Sequence, residues 1–337
     1  MIPAAKMNPV AATDPRPGRA FPRIEYQRLA AGQPLPEDAL LAIDFGASGA
    51  GPRRLGVTLP VLSGAGLSEI WRAQGPVITG ESGGVRFSSD DHFLAGVVEV
   101  PEAAHGGIAG ATEHAYRAIA GFQGESAFPH LLRTWNYFDD INRGEGDAER
   151  YRDFCSGRVA GLAGMRQAHH PAATVIGGHD GARVLQVYWL AGREPGVAVE
   201  NPRQVSAYQY PREYGETAPT FSRAMLVAPE LLMVSGTASI VGHASRHRED
   251  ARAQAREILA NLDSLLERAH SHSPRLPTRV GARTLVKAYV RHREDVAGVE
   301  RILRERLPAE TPLLMLRGDV CRRELLVEFD CLAYAGG

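Results

Sequence analysis

Cysteine is scarce: the 337 residues hold three, Cys155, Cys321 and Cys331, odd in number and never spaced as CxxC. That arithmetic argues against a disulfide framework, and a reducing, cytoplasmic setting is expected. Long apolar runs are missing as well. None approaches the roughly 20 residues that span a bilayer, so no membrane association is expected. Residues 1–22, MIPAAKMNPVAATDPRPGRAFP, have no apolar stretch like that of a signal peptide and read as a flexible tail. Neither sign of charge dominates: 38 basic and 39 acidic residues leave a net −1. Such a balance suggests neither nucleic acid nor a membrane surface as partner, although a local group of arginines can still draw a small anion. Cofactor motifs are lacking too. No GxGxxG follows a strand, and the Gly-rich stretch 44–51 has no phosphate-loop lysine. His243 and His247 stand at i, i+4 without an HExxH, while His169-His170 and His270-x-His272 fall in loop-like segments. Neither a metal nor an organic cofactor is expected.

The length suggests about two domains, and a hydrophobic content of 44% is ordinary for a globular chain. The second half reads clearly. Strands are expected at 184–190, 205–210, 224–227 and 231–234. A helix over 250–269 carries Ala251, Ala255, Ile258, Leu262, Leu265 and Leu266 at helical spacing. A strand at 284–290, a helix over 295–307 stopped by Pro308, and strands at 313–316 and 325–333 complete it. The first half repeats this order: a strand at 93–100, a helix over 110–120, a strand at 131–137 and a helix over 151–162. GHDGARVLQVYW, from Gly178 to Trp189, then runs parallel to GDVCRRELLVEF, from Gly318 to Phe329, with Arg183 matching Arg323. Agreement in order across five elements points to duplication. The expected fold is α/β (α+β), with two units side by side, each a mixed sheet with two helices on one face. The expected division is 23–192 and 193–337, joined through the turn-rich GREPGVAVENP of 192–202, with the Gly-rich insertion 44–56 as loop.

Particular segments carry a family likeness. SGTASIVGH (Ser235 to His243), a following helix with Gln254 and Asn261, and VEFDCLAY (Val327 to Tyr334) resemble the Rid imine deaminases, which have a chorismate-mutase-like fold. LRTWNYFDDIN (132–142), ERYRDFCSGR (149–158), NPRQVSAYQYPREYG (201–215) and PTFSRA (219–224) together resemble the chorismatases, whose two halves are Rid-like. One departure speaks against imine deamination. Rid deaminases hold a substrate carboxylate with an arginine shortly after a proline, and here TPLLML (311–316) has leucines there.

The resemblance implies removal of pyruvate from chorismate without a cofactor, by a monomer or small homo-oligomer. An enol ether is cleaved by protonating its terminal methylene carbon, which leaves an oxocarbenium ion for water or a neighbouring hydroxyl to trap. One acid with a raised pKa, arginines for two carboxylates and exclusion of bulk water meet that need. Along the last strand Glu324, Leu326, Glu328 and Asp330 share one face. Taken alone this is a solvated strand face; the resemblance makes Glu328 the acid. It also places Arg158 and Arg223, with Arg203 as a third, on the carboxylates, and Tyr214 on a carboxylate or the ring hydroxyl. Gly236, Thr237 and Ala238 would line the pocket, where small residues let a ligand approach the backbone. Cys321 is by default a buried thiol; the resemblance links it to the branch that forms 3-hydroxybenzoate. Chorismate hydrolysis to 3,4-dihydroxycyclohexa-1,5-diene carboxylate or to 4-hydroxybenzoate is the alternative within the family. A non-catalytic Rid-like binding module is the alternative outside it. A pteridine-dependent oxygenase would need an iron site of two His and a carboxylate, and no such set is found.

Overall fold

The computed structural model describes residues 21–29, 33–47, 49–165, 169–309, 311 and 313–336. The tail expected over 1–22 lies, up to residue 20, outside them. The chain opens with β1 (Arg23–Arg28), β2 (Ala39–Phe45), β3 (Ala50–Gly51), β4 (Arg54–Val57), β5 (Val61–Ser63) and β6 (Leu67–Arg72). All but β5 form a five-stranded sheet in the order β1-β6-β2-β4-β3. This sheet was not anticipated, and the stretch 44–56 expected as loop supplies part of it. β3 and β4 are short and hold glycine, and β2 reads as a continuous apolar run and not as an alternation.

The repeated units follow. The first comprises β7 (Ile78–Ser82), β8 (Val85–Ser89), β9 (Phe93–Pro101), α1 (Ile108–Glu125), β10 (His130–Asp139), α2 (Arg150–Leu162), β11 (Ala172–Gly178) and β12 (Val184–Gly192). The second comprises β13 (Val197–Val199), β14 (Ala224–Ala228), β15 (Leu231–Ala238), the short pair β16 (Ile240–Val241) and β17 (Ala244–Ser245), α3 (Ala251–His270), β18 (Thr284–Val290), α4 (Val296–Arg304), β19 (Leu313–Arg317) and β20 (Val327–Tyr334). The first sheet runs β11-β10-β12-β9-β8-β7 and the second β13-β14-β15-β20-β18-β19, with β5 added beside β19. Read from the other end, the second order matches the first strand for strand. In each, one pair is parallel, β10 with β11 and β18 with β19. The duplication, the mixed α+β sheets and the two helices per unit are thus as expected.

Local chemistry explains the elements. α3 starts where the Asp250 carboxylate accepts from the backbone N–H groups of Arg252 and Ala253, both at 3.0 Å. Its apolar stripe, Ala255, Ile258, Leu262 and Leu266, meets Val286, Ala288, Phe329 and Cys331 of the sheet. α4 is shorter than the expected 295–307: a single 3-10 turn, Arg293–Asp295, precedes it. The strand expected at 205–210 is an irregular segment with two 3-10 turns, Ala207–Gln209 and Arg212–Tyr214; Pro211 supplies no N–H for a ladder. Val197–Val199, inside the turn-rich 192–202, is an edge strand. No helix among the described residues is long and apolar enough to cross a membrane.

The sheet faces turned away from the helices meet one another. Trp71 of β6, Trp135 and Tyr137 of β10, Tyr188 of β12, Met233 of β15 and Tyr289 of β18 share one cluster. Within this apolar layer lie charges from all three sheets. Arg133 Nη2 donates to Asp330 Oδ1 at 3.0 Å, and Lys287 Nζ donates to Glu69 Oε2 at 2.6 Å. All four side chains are at most 3% exposed. A buried charge that loses its partner keeps its desolvation cost. Lys287→Ala is expected to lower unfolding stability by about 3–5 kcal/mol. Lys287→Met with Glu69→Leu should recover most of that, and chemical denaturation of both variants checks it.

Candidate active site

Glu328 lies on β20 between Ala238 of β15 and Tyr289 of β18. The β15 ladder slips between Val234 and Thr237, a bulge that removes Gly236 from the pairing. The Gly236 N–H donates instead to the Thr174 hydroxyl of β11, at 3.0 Å. Nearby, the Ser235 hydroxyl accepts from Ala173 N at 2.8 Å and donates to Ser222 O at 2.6 Å. These bonds fasten the edge of the first sheet to the second. A cavity of about 270 Å³ opens beside this seam. Any Cβ on Gly236 would collide with the Glu328 carboxyl oxygen, so glycine there makes room for the acid.

Glu328 is 5% exposed. Burial, then the nearby Asp330 charge, pushes its carboxyl up to about 8, against the pull of Arg133 and Arg223. It is therefore a neutral acid at pH 7. Arg223, just before β14, lies between the rings of Phe221 and Tyr210, at 5.2 and 5.5 Å. Its Nη2 donates to Val205 O at 2.7 Å and to the Tyr210 hydroxyl at 2.8 Å. Opposite it, Arg322 stacks on Tyr214 at 3.7 Å, and its Nη1 donates to His243 O and Ser245 Oγ at 2.9 and 3.0 Å. Its other terminal nitrogen is buried and makes no hydrogen bond within the described residues. The Cys321 thiol also lines the cavity; burial and the Glu328 charge raise it to about 12, so it is a thiol and not a thiolate.

The structure thus brings Glu328, Cys321, Tyr214, Arg223, Gly236 and Ala238 to one cavity. Three other expected residues lie outside its walls. Arg158 projects from α2 over the Tyr116 ring at 5.0 Å, with the Thr134 hydroxyl 3.5 Å away, on the helix side of the first sheet. Arg203 Nη2 is bound to Glu257 at 2.5 Å. Thr237 turns its hydroxyl back to Ser235 O at 2.9 Å, since alternation sends it to the face opposite Ala238. Arg322 and Tyr210 were missed. Arg322 stands beside Cys321 in the repeated glycine-led segment, a position from which it was within reach of inference.

Similarity to known proteins fits this geometry. Residues 69–191 match the family described as chorismatase FkbO/Hyg5-like, N-terminal. A chorismatase of Streptomyces rapamycinicus is 39% identical over 274 residues, covering 78% of this chain and 81% of its own. The chain belongs to the chorismatase family. A 3-hydroxybenzoate synthase of Streptomyces hygroscopicus is 35% identical over 276 residues, covering 78% of this chain and 80% of the relative. A chorismatase crystal structure superposes with a TM-score of 0.83 at 32% identity, covering 93% of this chain and 98% of that one.

The buried Glu328 carboxyl also sets a pH signature. Native Glu328 holds its proton to about pH 8, while an ordinary Glu releases it near 4.5. Its contribution to stability is full below the ordinary value and is lost as pH rises through about 8. Glu328→Gln, neutral at every pH, is expected to exceed the wild type in stability at pH 9 by at least about 1 kcal/mol. Denaturant titrations at pH 6 and 9 check the difference.

Proposed function

We propose that the enzyme removes pyruvate from chorismate, with Glu328 as the general acid. The supporting observation is a neutral carboxylic acid at the wall of a cavity whose other walls carry four arginines. Arg152 is paired with Asp147 and Glu149, and Arg323 donates to the Asn142 and Gly144 carbonyls, which leaves Arg223 and Arg322 for the substrate. Chorismate has two carboxylates and one enolpyruvyl ether. The guanidinium groups meet the carboxylates, and the rings of Tyr210, Tyr214 and Phe221 that brace them exclude bulk water from the carboxyl. Glu328 gives its proton to the terminal methylene carbon of the ether. The resulting oxocarbenium ion is trapped by an oxygen nucleophile, and pyruvate leaves. These roles come from the chain's own side chains. The unpaired thiols fit the cytoplasm as the place of action.

Glu328→Gln is expected to fold and to lose at least about a hundredfold in turnover, a general-acid contribution. Wild-type kcat/KM should fall as pH rises through about 8, where Glu328 gives up its proton. Pyruvate release is the assay; a mutant within a few-fold of wild type removes Glu328 from the acid role.

The product we infer is 3-hydroxybenzoate. Attack by the neighbouring ring hydroxyl on the ring carbon that bears the protonated ether breaks that C–O bond, expels pyruvate and leaves a strained ring oxide. Opening of the oxide with loss of the ring C–H proton gives 3-hydroxybenzoate, so all atoms of chorismate are conserved in the two products, whereas attack by water gives the diol. A barrier difference of about 1.4 kcal/mol shifts the ratio tenfold, within reach of one side chain. Cys321, which lines the same cavity as Glu328, is that side chain. As a neutral thiol it acts by occupying space and offering a weak S–H donor. Cys321→Ala is expected to keep pyruvate release while slowing aromatisation or liberating some diol. Chromatography of both mixtures decides, and an unchanged profile and rate reduce Cys321 to packing.

A further inference from the structure

Two carboxyls share one strand face, and one of them, Glu328, lines the cavity. Glu328 and Asp330 are alternate residues of β20 and are 5% and 3% exposed. Their surroundings differ completely. Asp330 Oδ1 accepts from Arg133 Nη2 at 3.0 Å, and Oδ2 accepts from Trp135 Nε1 and from the Thr174 hydroxyl, the latter at 3.3 Å. Lys287 Nζ stands 3.9 Å from the same carboxylate. Glu328 accepts no hydrogen bond from a described residue and is reached by charge alone: Asp330 repels its anion, while Arg133 and Arg223 attract it.

Arg133 is the cation at issue. Its Nη1 donates to Thr134 O at 2.6 Å, its Nη2 donates to Val234 O and the Thr174 hydroxyl at 3.1 and 2.5 Å, and it covers the Trp135 ring at 4.2 Å. The Thr174 hydroxyl in turn accepts from Gly236 N, and the space a Cβ on Gly236 would fill is bounded by Thr174 Oγ1 at 3.3 Å and by the Glu328 carboxyl. One hydroxyl and one missing methyl thus separate Arg133 from the acid.

We propose that Asp330 is a positioning residue for Glu328: by holding Arg133 in a buried ion pair beneath Gly236, it denies that cation to Glu328 and leaves the carboxyl free to keep its proton. The inference rests on the reading of Glu328 as the acid. The neighbouring charges support it. Lys287 is matched by Glu69, so the buried group carries no net charge while Asp330 is ionised. Removing the Asp330 charge leaves the group cationic, and Glu328, on which the Arg133 charge already acts, is the carboxyl left to neutralise it. The other titratable groups facing Asp330 are Tyr26, Tyr137 and Tyr289, and burial raises all three above the ordinary phenol range; Cys331 is raised likewise. On the cavity side Glu328 faces Arg223 and the Cys321 thiol, which Asp330→Asn leaves in place.

The test is the pH profile of pyruvate release from chorismate. With Asp330→Asn, the alkaline fall of kcat/KM is expected to move toward acid by about one pH unit or more, while the rate at pH 5–6 stays within about fivefold of wild type. Asp330→Asn with Arg133→Gln removes both charges and should return the fall toward its wild-type position. This pair also reads the proposal if the single variant does not fold. An equal loss at every pH, with the fall unmoved in either variant, overturns the proposal and leaves Asp330 a structural anchor. If Glu328→Gln itself keeps wild-type turnover, the acid assignment has failed instead, so the two failures are distinguishable.

Discussion

Four charges buried among aromatic rings set the frame. Arg133, Asp330, Lys287 and Glu69 come from three sheets, and each is satisfied only when the others are in register. Burial of this kind costs several kcal/mol per ion before the pairs form. The arrangement therefore gains less in stability than it fixes in geometry. A one-residue slip of β20 would carry Asp330 to the helix side and leave Arg133 unpaired in the layer. The same slip would carry Glu328 out of the cavity. Structural pairing and chemical aim are thus held by one strand register.

The second constraint is the seam between the sheets. A regular ladder through Gly236 would spend its N–H on β20; the bulge spends it on Thr174 across the seam instead. Thr174 and Ser235 then hold the two sheets together by side-chain hydroxyls, leaving space beside them. A cavity at such a junction can be dry on one side, where Glu328 sits, and charged on the other, where Arg223 and Arg322 are braced by rings. Burial of the carboxyl and placement of the arginines on the cavity wall come from one packing arrangement.

Much of this was legible in the sequence, for reasons that differ by residue. α3 announced itself through Ile258, Leu262 and Leu266 at helical spacing, and β18 was delimited to the residue. The opening sheet was not legible at β3 and β4, which are only two and four residues long. Glu328 was visible as one of a row of alternating polar residues, yet that pattern equally describes a solvated face; only the covering unit makes it buried. Lys287 and Glu69 went unread as partners, since a charge in TLVKAYV or LSEIWR does not name what lies across the layer. Arg158 and Arg203 illustrate the opposite difficulty. Both lie in family-like segments, but an arginine's reach lets it end on Tyr116 or Glu257 as readily as in the cavity.

Duplication raises the question of why only one half carries the acid. Counted from Gly178 and Gly318, the place of Glu328 in the second unit belongs to Tyr188 in the first. The ladders agree: Tyr188 faces Trp135 on β10, as Glu328 faces Tyr289 on β18. Likewise Ala95 precedes the residue opposite Trp189, where Gly236 precedes the residue opposite Phe329. Tyr188 lies flat on Trp135, with ring centroids 4.9 Å apart, and its hydroxyl accepts from Lys287 at 3.2 Å. The first unit has thus turned its equivalent position into packing and into a hydrogen-bond acceptor for the buried charges. That change serves the second unit. A carboxylate at 188 would compete with Glu69 for Lys287 and add a further negative charge to the layer. With a neutral phenol there, Asp330 and Glu69 alone balance Arg133 and Lys287, and the carboxyl across the seam is left to act as an acid.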